Sequence, residues 1–345
     1  MALVLALADD LTGALEAGAK FAERGIPSVV SAGRNPGATH PVVVIDTETR
    51  HLPPEQAAAA VAACVPDDAG LIYKKTDSTL RGNIRAELRA LARACPGSHI
   101  AYVPAYPALG RTVKQGELHV YGVPVHQSSF GRDPLNPVID SSIARLLCDD
   151  LPCTIYDGET EEDVAQAVAI ALADQSCRII AGPASVAAAI AAQMGIRKQP
   201  ANPWPAITRC LIVNGSLHEV SVQQIRWAEE HGCASRSLSC AWRIMDCPPV
   251  AGGDPPEIAA QTARLVPDSL TASGAQAVMV FGGDTAFGIL KALGCPPLEP
   301  LGEVVTGVPV SRVVGRNLHL ITKAGGFGDE QLICRVRHIL DATCH

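Results

Sequence analysis

"GLIYKKTDSTLRGNIRAELRALARA", Gly70–Ala94, is the stretch on which the reading of this chain turns. "GLIY" is a short apolar run and "NIRAELRALARA" carries a helical pattern. Between them Lys74, Lys75, Asp77 and Arg81 fall within eight residues, with Thr76, Ser78 and Thr79 interleaved. Strand, polar turn and helix in this order form one half of a βαβ unit. A surface turn has no need of so many charged and hydroxyl groups in a row. The carboxyl end of a parallel strand does, because open α/β sheets bind their ligands there.

The same rhythm extends outward. Apolar runs at 2–8, 27–33, 42–47, 70–76 and 99–105 predict strands. "LTGALEAGAKFAERG" lies between the first two, with Leu11, Leu15, Ala19 and Ala22 on one face and Gly25 as a stop. "PPEQAAAAVAACV" fills a later gap as a helix. Residues 106–150, rich in Pro, Gly and polar groups, read as a long functional loop or small excursion. Alternation resumes with "CTIYDG", a helix over about 160–174, and "RIIAGP". Pro200, Pro203 and Pro205 mark a linker at 196–206. Beyond it "CLIVNGS", a helix through "VSVQQIRWAEEHG", a second Pro/Gly-rich break at 247–256, "AQAVMVFGGDTAFGILKALG" and "NLHLITKAGGFGDEQLICRVRHIL" repeat the order of strand, turn and helix. The fold class predicted is α/β with two domains, 1–200 and 206–345, each a mainly parallel sheet flanked by helices.

A chain of 345 residues suits two domains rather than one core. With 48% hydrophobic and 18% charged residues it is globular. A net charge of -7 argues against general nucleic-acid binding. The twelve cysteines are scattered singly, without a CxxC pair or zinc-like His spacing, and read as free thiols of a reducing compartment. "MALVLALADD" lacks a basic leader and is cut off by two aspartates, so it reads as a buried first strand. No run approaches the roughly 18 apolar residues of a membrane span. A cytoplasmic protein is expected.

Four of the first five strands end in chemistry: Asp9 and Asp10 after the first, Arg50 after the third, the Lys75–Gly82 stretch after the fourth and Arg111 after the fifth. Taken singly each has a plain reading. Asp10 or Thr12 caps the first helix, Asp77 or Ser78 caps the one starting near Asn83, and Arg50 sits on the surface. Taken together, arginines facing aspartates at one sheet edge make a pocket for a small polar anion, since a guanidinium matches a carboxylate and Asp accepts hydroxyls. In the second half "VNGS", "FGGDTAFG" and "KAGGFGD" also come directly after apolar strands. Their glycines let backbone N–H groups approach phosphate. Lys323 is placed either to reach a phosphate or as an exposed lysine at a strand end. A P-loop, a G-x-G-x-x-G after the first strand, HExxH and GxSxG are all absent.

"ADDLTGALEAG", "KKTDSTLRGNIRAEL", "PAYPALGRTVKQGELHVYGVPV" and "KAGGFGD" resemble the signature segments of the four-carbon acid sugar kinase family. The resemblance implies an ATP-dependent kinase that forms the 4-phosphate of threonate, erythronate or a 3-oxo-tetronate, with sugar acid bound by the N-terminal domain and nucleotide by the C-terminal one. It implies substrate contacts from Asp10, Arg50, Asp77, Ser78, Arg81 and Gly82, to which the strand-end reading adds Asp9, Lys75 and Arg111. It implies ATP contacts from Ser216, Gly282, Gly283, Asp284, Thr285 and Gly325, to which the reading of the last glycine loop adds Lys323 and Gly326. Asp284 stands where the family usually has Glu, "NGSLHEV" is a loose version of its Gly-Ser segment, and the chain is short for the family.

The mechanism expected has Arg50 and Arg81 holding the substrate carboxylate. Asp10 or Asp77, the catalytic candidates, then binds its hydroxyls and orients or deprotonates the terminal one, and ATP is bound with Mg²⁺. A small acid and ATP are the expected partners, without nucleic acid or membrane, and a homodimer is left open. The alternatives are an NAD(P)-dependent hydroxy-acid dehydrogenase, which the missing glycine fingerprint disfavours, and a non-catalytic sugar-acid sensor.

Overall fold

The computed structural model describes residues 3–33, 36, 40–67, 69–133, 136–147, 151–194, 204–216, 218–245, 255–324 and 326–341. The chain forms two compact units, Met1–Gln199 and Pro200–His345. The linker expected at 196–206 lies outside the described residues as far as 203.

The first unit runs β1 (Val4–Ala8), α1 (Leu11–Ala22), β2 (Ser28–Ala32), β3 (Val42–Asp46), α2 (Pro54–Ala63), β4 (Leu71–Lys75), α3 (Ile84–Ala94), β5 (His99–Tyr102), then β6 (Arg111–Lys114), β7 (Glu117–Val120), β8 (Val123–Pro124) and α4 (Ile143–Leu147), and closes with β9 (Cys153–Ile155), α5 (Glu161–Ala173), β10 (Cys177–Gly182) and α6 (Ala184–Gln193). Seven strands form a wholly parallel sheet in the order β2-β3-β1-β4-β10-β5-β9. Both faces are covered by helices, so the central strands are buried throughout and read as continuous apolar runs. The 106–150 excursion forms its own small antiparallel sheet, β6-β7-β8.

Strand order decides where the chemistry collects. β3, β1 and β4 are neighbours, and Ala8 is level with Asp46 on one side and Lys75 on the other. The loops leaving these strands therefore start side by side, where the order of connections reverses.

Successive strand residues point to opposite faces. Lys75 faces Glu16 of α1, while Lys74 is fully buried 3.0 Å from Glu87 of α3. Glu87 also accepts the hydroxyl of Thr49, and Asn83 donates to the carbonyls of Thr49 and Leu52. α3 thus braces the loop that carries Arg50, and the lysine absent from the anion pocket pairs with the brace.

The second unit runs β11 (Cys210–Asn214), α7 (Glu219–Glu230), β12 (Trp242–Ile244), α8 (Pro255–Ser273), β13 (Ala277–Phe281), α9 (Gly283–Ala292), β14 (Leu298–Val305), β15 (Val308–Val313), β16 (His319–Lys323) and α10 (Leu332–Asp341). β12-β11-β13-β16 are parallel, and β15 and β14 continue the sheet antiparallel. Its core packs Trp242, Met279, Phe281, Ile321 and Ile333. The expectation of free thiols fails at one pair: Cys233 and Cys334 form a disulfide. They are separated by 101 residues, a pairing that spacing cannot show, and meet because α10 packs against α7. No helix among the described residues is long and apolar enough to cross a membrane.

Removing one member of a buried ion pair strands the other without a counter-charge. Glu87→Gln should lower unfolding free energy by about 3–5 kcal/mol, and the Lys74→Met/Glu87→Met double variant should recover most of it, as read by urea denaturation.

Candidate active site

Asp9 and Asp10 leave β1 in opposite roles. Asp10 caps α1, its Oδ1 accepting the Gly13 N–H at 2.8 Å, while its Oδ2 accepts Arg50 Nη1 at 2.6 Å. The plain reading of Asp10 as a cap and its reading as a site residue both hold, one on each oxygen. Asp9 takes Arg50 side-on, Nε at 2.8 Å and Nη2 at 3.0 Å. Nη2 also lies 3.6 Å from Asp77. Arg50 is thus surrounded by three carboxylates, one from β1's first loop residue, one from its second and one from the loop after β4.

Asp77 does not cap α3, whose N-cap is Asn83. It organises its own loop. Its Oδ2 accepts the backbone N–H and the hydroxyl of Thr79 and Arg81 Nε at 3.0 Å, and its Oδ1 accepts Arg81 Nη2 at 2.8 Å. Burial acts to raise its pKa, but Arg81 and Arg50 outweigh burial and hold the carboxyl well below its ordinary 3.8. Asp9 is likewise lowered: Arg50 and Lys74 overcome the opposing effect of burial. At the end of β3, Asp46 goes the other way. Burial and the neighbouring Glu48 raise it well above the ordinary range.

Gly82 is where the loop after β4 comes closest to the clamp. Its φ is +87°, and a Cβ there would lie 3.3 Å from Asp9 Oδ2 and 3.5 Å from Arg50 Cγ. Lys75 donates to the Thr76 carbonyl at 2.9 Å and lies 4.0 Å from Glu16, whose other oxygen takes the Tyr106 hydroxyl. Ser78 is half-buried and has no hydrogen bond among the described residues.

The excursion adds residues that the sequence reading passed over. Asp133 accepts Arg81 Nη1 at 3.2 Å. The Phe130 ring lies under two guanidinium groups, Arg81 at 5.3 Å and Arg111 at 5.8 Å, and Tyr121 lies 5.4 Å from Arg111. Arg111 donates Nη1 to the Leu109 carbonyl, its Nε is buried without a hydrogen-bond partner, and no carboxylate among the described residues pairs with it. Arg50 and Arg81 are taken up by aspartates; Arg111 is not.

The second unit places its three glycine loops together for the same topological reason, since Asn214, Phe281 and Lys323 are level at the ends of the adjacent strands β11, β13 and β16. A Cβ at Gly215 would meet Thr285 Oγ1 at 1.8 Å, so the first loop packs directly on buried Thr285. Gly282, at φ +104°, lets the chain enter α9, which has no side-chain N-cap, and exposed Asp284 lies in its first turn. N–H groups at such a helix start suit an anion. Ser216 accepts the His218 N–H at 3.2 Å, and a Cβ at Gly326 would lie 2.8 Å from His218 Nε2. Gly325 lies outside the described residues. Lys323 is not an exposed strand-end lysine. Its ammonium is buried on Ser221 Oγ at 3.1 Å and Gln224 Oε1 at 2.6 Å, above the Phe281 ring, and burial pushes its pKa down to about 7.

Comparison with known proteins bears on both halves. A family model described as a sugar-binding N-terminal domain matches residues 4–152, and one described as a nucleotide-binding C-terminal domain matches residues 250–333. The chain is 31% identical to a D-threonate kinase of Bordetella bronchiseptica, with 95% of each covered. The chain belongs to the four-carbon acid sugar kinase family. It is 26% identical to a D-threonate kinase of Salmonella typhimurium over 98% of each chain, and 25% identical to a 3-oxo-tetronate kinase of that organism over 96% and 97%. Among solved structures, one from Salmonella typhimurium LT2 superposes with a TM-score of 0.79 at 21% identity, covering 97% and 98%. One from Bordetella bronchiseptica, a domain-swapped dimer with bound citrate, gives 0.52 at 27%, covering 99% and 98%. This family member is a phosphotransferase acting on a sugar acid hydroxyl, with ATP as the second substrate.

The folded pKa of Asp77 lies below its unfolded value. Its contribution to stability is therefore complete above the ordinary carboxylate range and lost as pH falls through the folded value. Asp77→Asn should be about 3 kcal/mol less stable than wild type at pH 7. The gap should stay constant down to about pH 5 and narrow below about pH 4, as read by urea midpoints across the range.

Proposed function

We propose that the protein transfers the γ-phosphoryl group of ATP to the terminal hydroxyl of a threonate, erythronate or 3-oxo-tetronate, giving the 4-phosphate. D-threonate is the first acid to test, being the substrate named both for the relative at 31% identity and for the one matched over 98% of each chain. The observation that carries this reading is Arg111, a cation with no carboxylate partner among the described residues, beside a group of aspartates already assigned to other arginines. A guanidinium framed by two rings and lacking a counter-ion is completed by the carboxylate of an acid substrate.

This changes the roles given to the arginines. Arg50 serves as the clamp that orients Asp9, Asp10 and Asp77, and Arg81 as the fork that fixes the loop after β4; Arg111 takes the substrate carboxylate. Among the clamped aspartates Asp10 is the most open, at 18% side-chain exposure against 3% and 8% for Asp9 and Asp77. It is the group to accept and orient the terminal hydroxyl. Asp77, held well below the ordinary range, is a weak base and acts through position. Little base strength is required, because phosphoryl transfer passes through a loose transition state in which alignment and charge dominate.

On the nucleotide side the N–H groups at the start of α9, with Gly282, Gly283 and Thr285, and the loops at Ser216 and Gly326 are the contacts proposed for phosphate. No cluster of three or more His, Cys, Asp or Glu among the described residues could hold a metal unaided. Mg²⁺ needs only one or two carboxylates when phosphates supply the rest, and exposed Asp284 fits that requirement. Bound there, Mg²⁺ would neutralise phosphate charge. The dehydrogenase and sensor alternatives fall away, since the curated relatives are kinases.

An ADP-release assay over C4 to C6 sugar acids and their 2- and 3-oxo forms tests the assignment. Arg111→Ala should raise KM for the best acid by roughly a hundredfold, the scale of a lost charged hydrogen-bond pair, with KM for ATP unchanged. An unchanged KM for the acid would remove Arg111 from the site. A homodimer belongs to the same proposal, on the precedent of the Bordetella structure. Light scattering should then return twice 36.0 kDa, and a monomer mass would refute it.

A further inference from the structure

Gln224 and Lys323 form a buried pair with no place in the mechanism above. Gln224 lies in the middle of α7, outside the segment matched to the nucleotide-binding domain, and is fully buried, as is Lys323. The two ends of the Gln224 amide are used differently. Its Oε1 accepts the Lys323 ammonium at 2.6 Å, and its Nε2 donates to two carbonyls, Phe327 and Asp329, each at 2.8 Å. Both carbonyls belong to the glycine-rich loop after β16. Gly328 lies between them at φ +79°, where a Cβ would be 3.2 Å from the same Nε2. The amide has one orientation: the Phe327 and Asp329 carbonyls can only accept, so they take the two N–H groups and leave the oxygen to Lys323.

We propose that Gln224 is the positioning residue of the nucleotide loop and that Lys323 anchors the far end of its amide. The lysine acts through the glutamine rather than on phosphate. The inference rests on reading this loop as part of the ATP site. A low-dielectric interior strengthens each of these bonds and raises the penalty for leaving any one unmade, so the loop carbonyls are held at fixed positions without touching the nucleotide.

Gln224→Glu separates the two ends, since it keeps an acceptor for Lys323 and removes both donors to the loop. It should raise KM for ATP and the Kd of a non-hydrolysable ATP analogue roughly tenfold, the scale of one lost buried hydrogen bond. KM for the sugar acid should stay within twofold. Amides 326–331 should exchange with deuterium faster than in wild type. Lys323→Met, which leaves the amide oxygen buried without its donor, should shift the same parameters in the same direction, and serves if Gln224→Glu fails to fold. An unchanged KM for ATP and unchanged exchange in a folded variant overturn the proposal. If wild type itself binds no ATP analogue, the reading of the loop as an ATP site fails instead.

Discussion

Everything in the first unit depends on one guanidinium. Arg50 gathers Asp9 side-on, Asp10 end-on and Asp77 at longer range. Three carboxylates on adjacent strand ends would repel one another and take up protons if the cation were missing. With it all three are fixed in direction, and Asp9 and Asp77 are held below the ordinary carboxylate range. The clamp exists because β3, β1 and β4 are neighbours with their last residues level. Topology brings the loops together, and the arginine makes their like charges compatible. The pair of Lys74 and Glu87 then holds the Arg50 loop from beneath through Thr49.

The second unit solves a related problem with backbone instead of charge. Its loops also leave three adjacent parallel strands. Their close packing needs glycine at 215 and 282, where a side chain would strike Thr285 or would have to adopt a left-handed conformation. One unit presents fixed carboxylates and a cation of unmet charge. The other presents N–H groups at a helix start. An acid with hydroxyls suits the first and a polyphosphate the second, which matches the domain descriptions of the family.

Much of this was legible in sequence because parallel strands buried on both faces appear as unbroken apolar runs, and the residues just after each run lie at the ligand-binding edge. Asp9, Asp10, Arg50, Asp77 and Arg81 could be placed at one edge by that rule alone. Their pairing could not, since it depends on strand order. Arg50 and Arg81 looked available for substrate only until their partners were seen. Asp133 and Phe130 come from an excursion without helical or strand periodicity, so nothing singled them out. Glu87 and Gln224 sit within amphipathic helices, where nothing in the sequence singles them out, yet each turns its polar end inward to a buried lysine. The bond between Cys233 and Cys334 spans 101 residues and has no local signature. The β14–β15 hairpin, turning at Thr306 and Gly307, also departs from the expected alternation of strand and helix.

The central claim is that Arg50 is internal to the protein's own charge balance and Arg111 is the residue that meets the substrate's charge. A crystal structure with the best acid substrate and a non-hydrolysable ATP analogue tests it most directly. The account predicts the acid's carboxylate within hydrogen-bond distance of Arg111, with Arg50 still bound to Asp9 and Asp10. A carboxylate seated on Arg50 with either aspartate displaced would contradict it.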